Sequence, residues 1–104
     1  MYFSMSYQPE ILDTPIDGIW DLATVNTSFQ KGVLQTAQLV LNFYASPADI
    51  GIKQPLDSVV INCSMDNINA FQTAENISAT QLAQWAYGLA QAVDTLFSTA
   101  TITN

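Results

Sequence analysis

Apolar and polar side chains alternate at the start of the chain. Phe3, Met5 and Tyr7 fall on one side and Tyr2, Ser4 and Ser6 on the other, the period of a short strand or arm. Residues 9–18 break the pattern with Pro9, Pro15 and Gly18 and read as irregular connection. Residues 19–25 return to a strand anchored by Trp20, and residues 26–32, NTSFQKG, read as a turn. The cleanest alternation runs over 33–45. Ala37, Leu39, Leu41, Phe43 and Ala45 face one way; Thr36, Gln38, Val40, Asn42 and Tyr44 face the other. Leu and Gln are good helix formers, so a helix is the runner-up there. Residues 46–56 form a loop marked by Pro47, Gly51 and Pro55. Residues 57–65 make the next strand around Val59-Val60-Ile61, whose β-branched side chains suit a sheet interior. Residues 66–77 read as a polar loop holding Ile68 and Phe71.

The period then changes. From Ser78 to Ser98, Leu82, Trp85, Leu89, Val93 and Leu96 recur at helical spacing, with Ser78 or Thr80 available to cap the start. The opposite face carries Gln84, Tyr87, Gly88, Gln91, Ala92 and Thr95, and the stretch holds a single charge, Asp94. A glycine inside a helix costs about 1 kcal/mol against alanine, so close packing should compensate Gly88. With Ala92 it offers a small-residue seat for another backbone; the alternative is a glycine that touches its own core. Residues 99–104 are Thr-rich and extended.

Strands followed by a terminal helix predict an α+β fold: a small antiparallel sheet of about four strands, then one long C-terminal helix packed on the sheet or on a partner. At 104 residues the chain is one domain, 1–104, with short extended arms at 1–8 and 99–104.

Composition shifts the reading from fold to assembly. Charged residues are 11% of the chain, against about 25% in ordinary domains. The polar surface is therefore Gln, Asn, Ser and Thr, which costs less to desolvate than Lys or Glu. The apolar N-terminal arm, with Phe3 and Met5, either packs on a neighbouring subunit, which fits the same picture, or folds back on its own chain. The net charge is −7, with Lys31 and Lys53 the two cations. Phosphate recognition needs a basic patch, so direct nucleic-acid binding is disfavoured, and an anionic membrane surface likewise. No stretch approaches the roughly 20 apolar residues of a membrane span, and the N-terminus lacks the pattern of a signal peptide.

Candidate chemistry is sparse. The chain has no histidine and one cysteine, Cys63, so Cys–His pairs, His-ligated zinc and Ser–His–Asp triads are excluded. Asp13, Asp17 and Asp21 lack calcium-loop spacing and read as solvated acids. No cofactor and no metal is expected, and no catalytic residue is assigned.

One local likeness adds a direction. Ala74-Glu75-Asn76, Trp85 and Val93-Asp94-Thr95-Leu96-Phe97 resemble the C-terminal helix region of single-stranded RNA phage coat proteins, over about a quarter of the chain. The resemblance implies an antiparallel meander whose C-terminal helix crosses onto a partner, in a dimeric shell subunit. That family binds an RNA hairpin on a sheet face supplied with basic residues. Only Lys31 and Lys53 exist here, so no RNA-binding residue carries over. The expectation is a non-enzymatic structural subunit that self-assembles as a homo-oligomer, dimer or larger, in a virus or phage particle (coat, decoration or tail-associated). Other structural proteins are possible partners. Its expected place is the virion if viral and the cytoplasm otherwise. A small acidic adaptor that binds basic proteins is the alternative. The expected contact residues are Phe3, Met5, Gln84, Tyr87, Gly88, Gln91, Ala92 and Thr95.

Overall fold

The computed structural model describes residues 1–75 and 82–103. Five antiparallel strands form one sheet: β1 (Tyr2–Tyr7), β2 (Ile16–Gln30), β3 (Val33–Tyr44), β4 (Asp57–Cys63) and β5 (Thr101–Thr103). Their order across the sheet is β4-β3-β2-β1-β5. Two helices, α1 (Met65–Glu75) and α2 (Leu82–Val93), cover one face of it.

Register follows the alternation of the sequence. Phe3 pairs with Trp20, Trp20 with Phe43, and Leu22 with Leu41, so the large apolar side chains of three strands share a face. Leu39, Leu41 and Phe43 are fully buried there, joined by Ile61 and Cys63 from β4. The helices complete this core with Ile68 and Phe71 from α1 and Trp85, Ala86, Leu89 and Ala90 from α2. Aromatic rings fill its centre. Trp20 meets Phe97 edge-on at 5.4 Å, Phe3 stacks on Phe97 at 4.8 Å, and Tyr7 contacts both Trp20 and Phe43.

The expected single long helix is corrected. The C-terminal half contains two shorter helices, and the second ends at Val93 instead of running to Ser98. Asp94 explains the stop. It takes extended backbone, and its carboxylate accepts from the Leu96 amide, capping a 3-10 turn over Thr95–Phe97. That turn drops Phe97 into the core. The caps expected at Ser78 and Thr80 lie outside the described residues.

Helix α1 replaces the polar loop expected over 66–77. Its start is fixed reciprocally: the Ser64 hydroxyl accepts from the Asn67 amide, and the Asn67 side-chain carbonyl accepts from the Ser64 amide. Ile68 and Phe71, three apart, are the residues it buries among its described side chains.

The sheet has five strands where about four were expected. The added strand is the C-terminal arm, which pairs with β1, Ile102 opposite Phe3 and Thr101 opposite Ser4. Strand β2 is longer than the seven residues read from sequence. The segment NTSFQKG is mostly strand, and only Lys31 and Gly32 turn. Both have positive φ, 54° and 79°, as a two-residue type I′ hairpin requires. Pairing continues to Gln30 opposite Val33, interrupted by irregularities between Leu22 and Thr24 and between Ser28 and Phe29.

This hairpin outruns its neighbours. Strand β1 pairs with β2 no further than Trp20, and β4 pairs with β3 no further than Ala37. Residues 28–36 therefore project as a two-stranded ribbon from a molecule of 46 × 24 × 23 Å.

Candidate functional site

The residues expected to face a neighbour separate into three groups. Phe3 and Tyr87 are corrected: both are buried in the chain's own core, where their rings meet edge-on at 5.0 Å. The Tyr87 hydroxyl accepts from the Leu22 amide at 2.7 Å and donates to the Met1 carbonyl at 2.9 Å. It continues the β1–β2 ladder where strand pairing stops. Burial pushes the Tyr87 phenol up to about 12.

Gly88 also serves the chain itself. A Cβ placed there would stand 2.7 Å from the Phe71 ring, so the missing side chain lets α1 and α2 close together. Gln91 belongs to this internal group: its side-chain amide donates to the Phe97 and Ala100 carbonyls and ties α2 to the segment leading into β5. Met5 is half-buried against the core. Gln84, Ala92 and Thr95 are exposed, and they are what remains of the expected helix face.

Two surfaces were not singled out from the sequence. The first is the sheet face away from the helices. Along its middle, amides join three strands: Asn26 donates to Gln38 at 3.3 Å, and Gln38 donates to Asn62 at 3.1 Å. Hydroxyl pairs extend the network, Ser28 with Thr36 at 2.5 Å and Ser4 with Thr103 at 3.1 Å, and Ser58 donates to Asn42. Val60 stands 52% exposed among them. Asp17 and Asp21 bring the only carboxylates to this face among the described residues, and no lysine lies on it. Lys31 sits at the hairpin turn, and Lys53 pairs with Asp49 at 3.5 Å. Alternation in 33–45 already put Gln38 and Asn42 on one polar face; which strands would flank them needed the register.

The second surface is the free side of β2. Beyond Trp20 no described strand pairs with it there. Phe29, on the projecting ribbon, is 63% exposed. Reading NTSFQKG as a turn concealed both features, although Lys31-Gly32 alone was a sufficient turn signal.

Burial pushes the Cys63 thiol up to about 11, so it is protonated at neutral pH. Tyr7 donates to Asp57 at 2.5 Å, and that bond together with burial raises its phenol to about 12. The pair fastens β1 to β4 across the sheet's end. Burial raises the Asp21 carboxyl as well. Among the described residues no three His, Cys, Asp or Glu side chains come together. Among the described residues the buried indole N–H groups of Trp20 and Trp85 find no hydrogen-bond acceptor, an internal cost of about 1–3 kcal/mol each. No described helix is long and apolar enough to cross a membrane.

No family model matches the chain, and no curated protein or solved structure matches it.

Proposed function

We propose that this protein is a non-enzymatic structural subunit that assembles with copies of itself, and that the particle it builds is viral or phage-derived. The observation that carries the reading is the exposed polar stretch of the sheet face away from the helices, beyond the buried Ile19 and Tyr44. Its amides and hydroxyls are already bonded to one another across strands. Covering such a face removes less hydration than covering lysines and carboxylates, because the polar groups keep their partners. An exposed, charge-poor stretch of sheet of this kind is suited to contact with protein.

The direction toward a particle protein rests on the likeness around Trp85 and Val93–Phe97 to RNA phage coat proteins. The role proposed here is one of shell or decoration contacts and not of RNA capture, since the open face carries no lysine. Light scattering after size exclusion tests the proposal. Particles or oligomers of the 11.4 kDa chain are expected; a monomer at every concentration would overturn it.

A further inference from the structure

The outer edge of β4 is closed at both ends and open in the middle. Phe43 turns its carbonyl to the Leu56 amide, and Leu41 turns its carbonyl to the Ser58 hydroxyl. These β3 residues therefore present their backbone to β4. Leu41 stands opposite Val59, and no shift interrupts the register, so Val59, Ile61 and Cys63 face β3 in return. Ser58, Val60, Asn62 and Ser64 face the other way, where no described strand pairs with them. The outer two of these N–H groups are already engaged. That of Ser58 donates to the Asp57 carboxylate at 2.7 Å, and that of Ser64 to the Asn67 side-chain carbonyl at 3.0 Å. Val60 and Asn62, between them, have backbone groups with no partner among the described residues.

We infer that β4 pairs antiparallel with β4 of a second copy, about a two-fold axis that passes through Ile61 normal to the sheet. Val60 then lies opposite Asn62 of the second copy, twice by symmetry, and the open N–H and C=O of each meet those of the other. Ser58 comes opposite Ser64, so the ladder ends where both amides already have acceptors. Both helix layers stay on one side of the joined sheet. The amide surface around Gln38 and Asn62 becomes continuous on the other.

Two further observations point to a second copy as the occupant. The edge is undefended. Ser58 to Ser64 reads SVVINCS, with β-branched residues at its centre and neither charge nor proline. Monomeric proteins protect such an edge with lysine, proline or a cover. Two chains of net charge −7 would also meet here where neither carries a charge. The second observation is exposed apolar surface. Val60, open on the single chain, comes diagonal to its own copy across the axis. Counted out along the two ladders, Leu56 of the second copy comes level with Leu34. Its loop 46–56, with exposed Ile52, then stands beside the ribbon, where Val33 is open.

This inference rests on the self-assembly proposed above, and sedimentation equilibrium separates the two. Val60→Pro removes an N–H that the single chain leaves unpaired and spares the β3–β4 ladder, which uses Val59 and Ile61. It should weaken the pair by at least about 100-fold, with folding checked by circular dichroism. Val60→Lys supplies the missing edge charge and should weaken the pair about tenfold. Adding Asn62→Glu places a carboxylate opposite the new ammonium in this register and should return the affinity to within about threefold of the natural chain. The charge variants decide the matter even if the proline variant fails to fold. A double variant as weak as Val60→Lys would overturn the register centred on Ile61. If the natural chain assembles and all of these variants assemble equally well, the β4 pairing is wrong while self-assembly stands. A natural chain that stays monomeric removes both proposals.

Discussion

The body of the sheet and the β2–β3 ribbon are made of the same strands under different conditions. Beneath the helices, β2 contributes Gly18 and Trp20, and β3 contributes Leu39 to Phe43, all packed between neighbours on both sides. A few residues further along, the two strands have only each other. Phe29 is exposed where Trp20 is buried, and the hydroxyls of Ser28 and Thr36 link the strands in place of rings. An isolated two-stranded hairpin is at best marginally stable in water. The body must therefore hold the fold, and the ribbon is free to serve contacts.

Substitutions should register that contrast in unfolding free energy. Trp20→Ala opens a cavity among Phe3, Phe43, Tyr7 and Phe97 and should cost about 3–5 kcal/mol, read from urea titration followed by circular dichroism. Gly88→Ala reports on the helix pair with an informative sign. On an open helix face it would stabilise by about 1 kcal/mol. Against the Phe71 ring it should instead destabilise by about 1–3 kcal/mol. A gain in thermal stability would mean that Phe71 is not where α2 needs the space. Tyr87→Phe leaves the Leu22 amide without its acceptor and should cost about 1–2 kcal/mol.

The pH dependence is expected to be smaller and to belong to the body alone. Tyr7 and Tyr87 hold their protons up to about 12 in the folded chain, whereas an unfolded chain releases them near pH ~10. The folded state then binds more protons than the unfolded one across that interval. The stability from the raised values is complete below about pH 10 and is lost as the pH rises toward about 12. Urea midpoints measured across this range should fall, and Tyr7→Phe should flatten the fall. Phe29→Ser on the ribbon should leave the stability of the monomer within about 0.5 kcal/mol. A loss comparable to that of Trp20→Ala would erase the distinction between the two regions.

The strands with strict alternation were the legible part of the fold. Residues 33–44 form the strand expected over 33–45, and Asp57–Cys63 that expected over 57–65. Trp85 sits in the core where the helical stripe put it. Local chemistry was harder to read. A run of polar residues, NTSFQKG, looks like a turn until Lys31-Gly32 is seen to be enough to reverse the chain. Helix α1 buries only Ile68 and Phe71 among its described side chains, too few for a periodic stripe; its signal was the Ser64–Asn67 cap. The stripe through Leu96 continued the helical period past Asp94, and the backbone did not follow it, because the aspartate side chain caps the next turn. For the candidate site, the charge deficit was visible, but its location was not. The polar helix residues Tyr87 and Gln91 are engaged inside the chain, and the exposed amide and hydroxyl surface lies on the sheet.

Hydrogen exchange of residues 28–36, followed as protein concentration is raised, tests the division of labour between body and ribbon most directly. The amides of the ribbon are expected to exchange fast in dilute solution and to become protected as copies associate, while the amides of Leu39 and Leu41 are protected throughout. Fast exchange across residues 28–36 at every concentration, in a protein shown by sedimentation to be associated, would contradict that division.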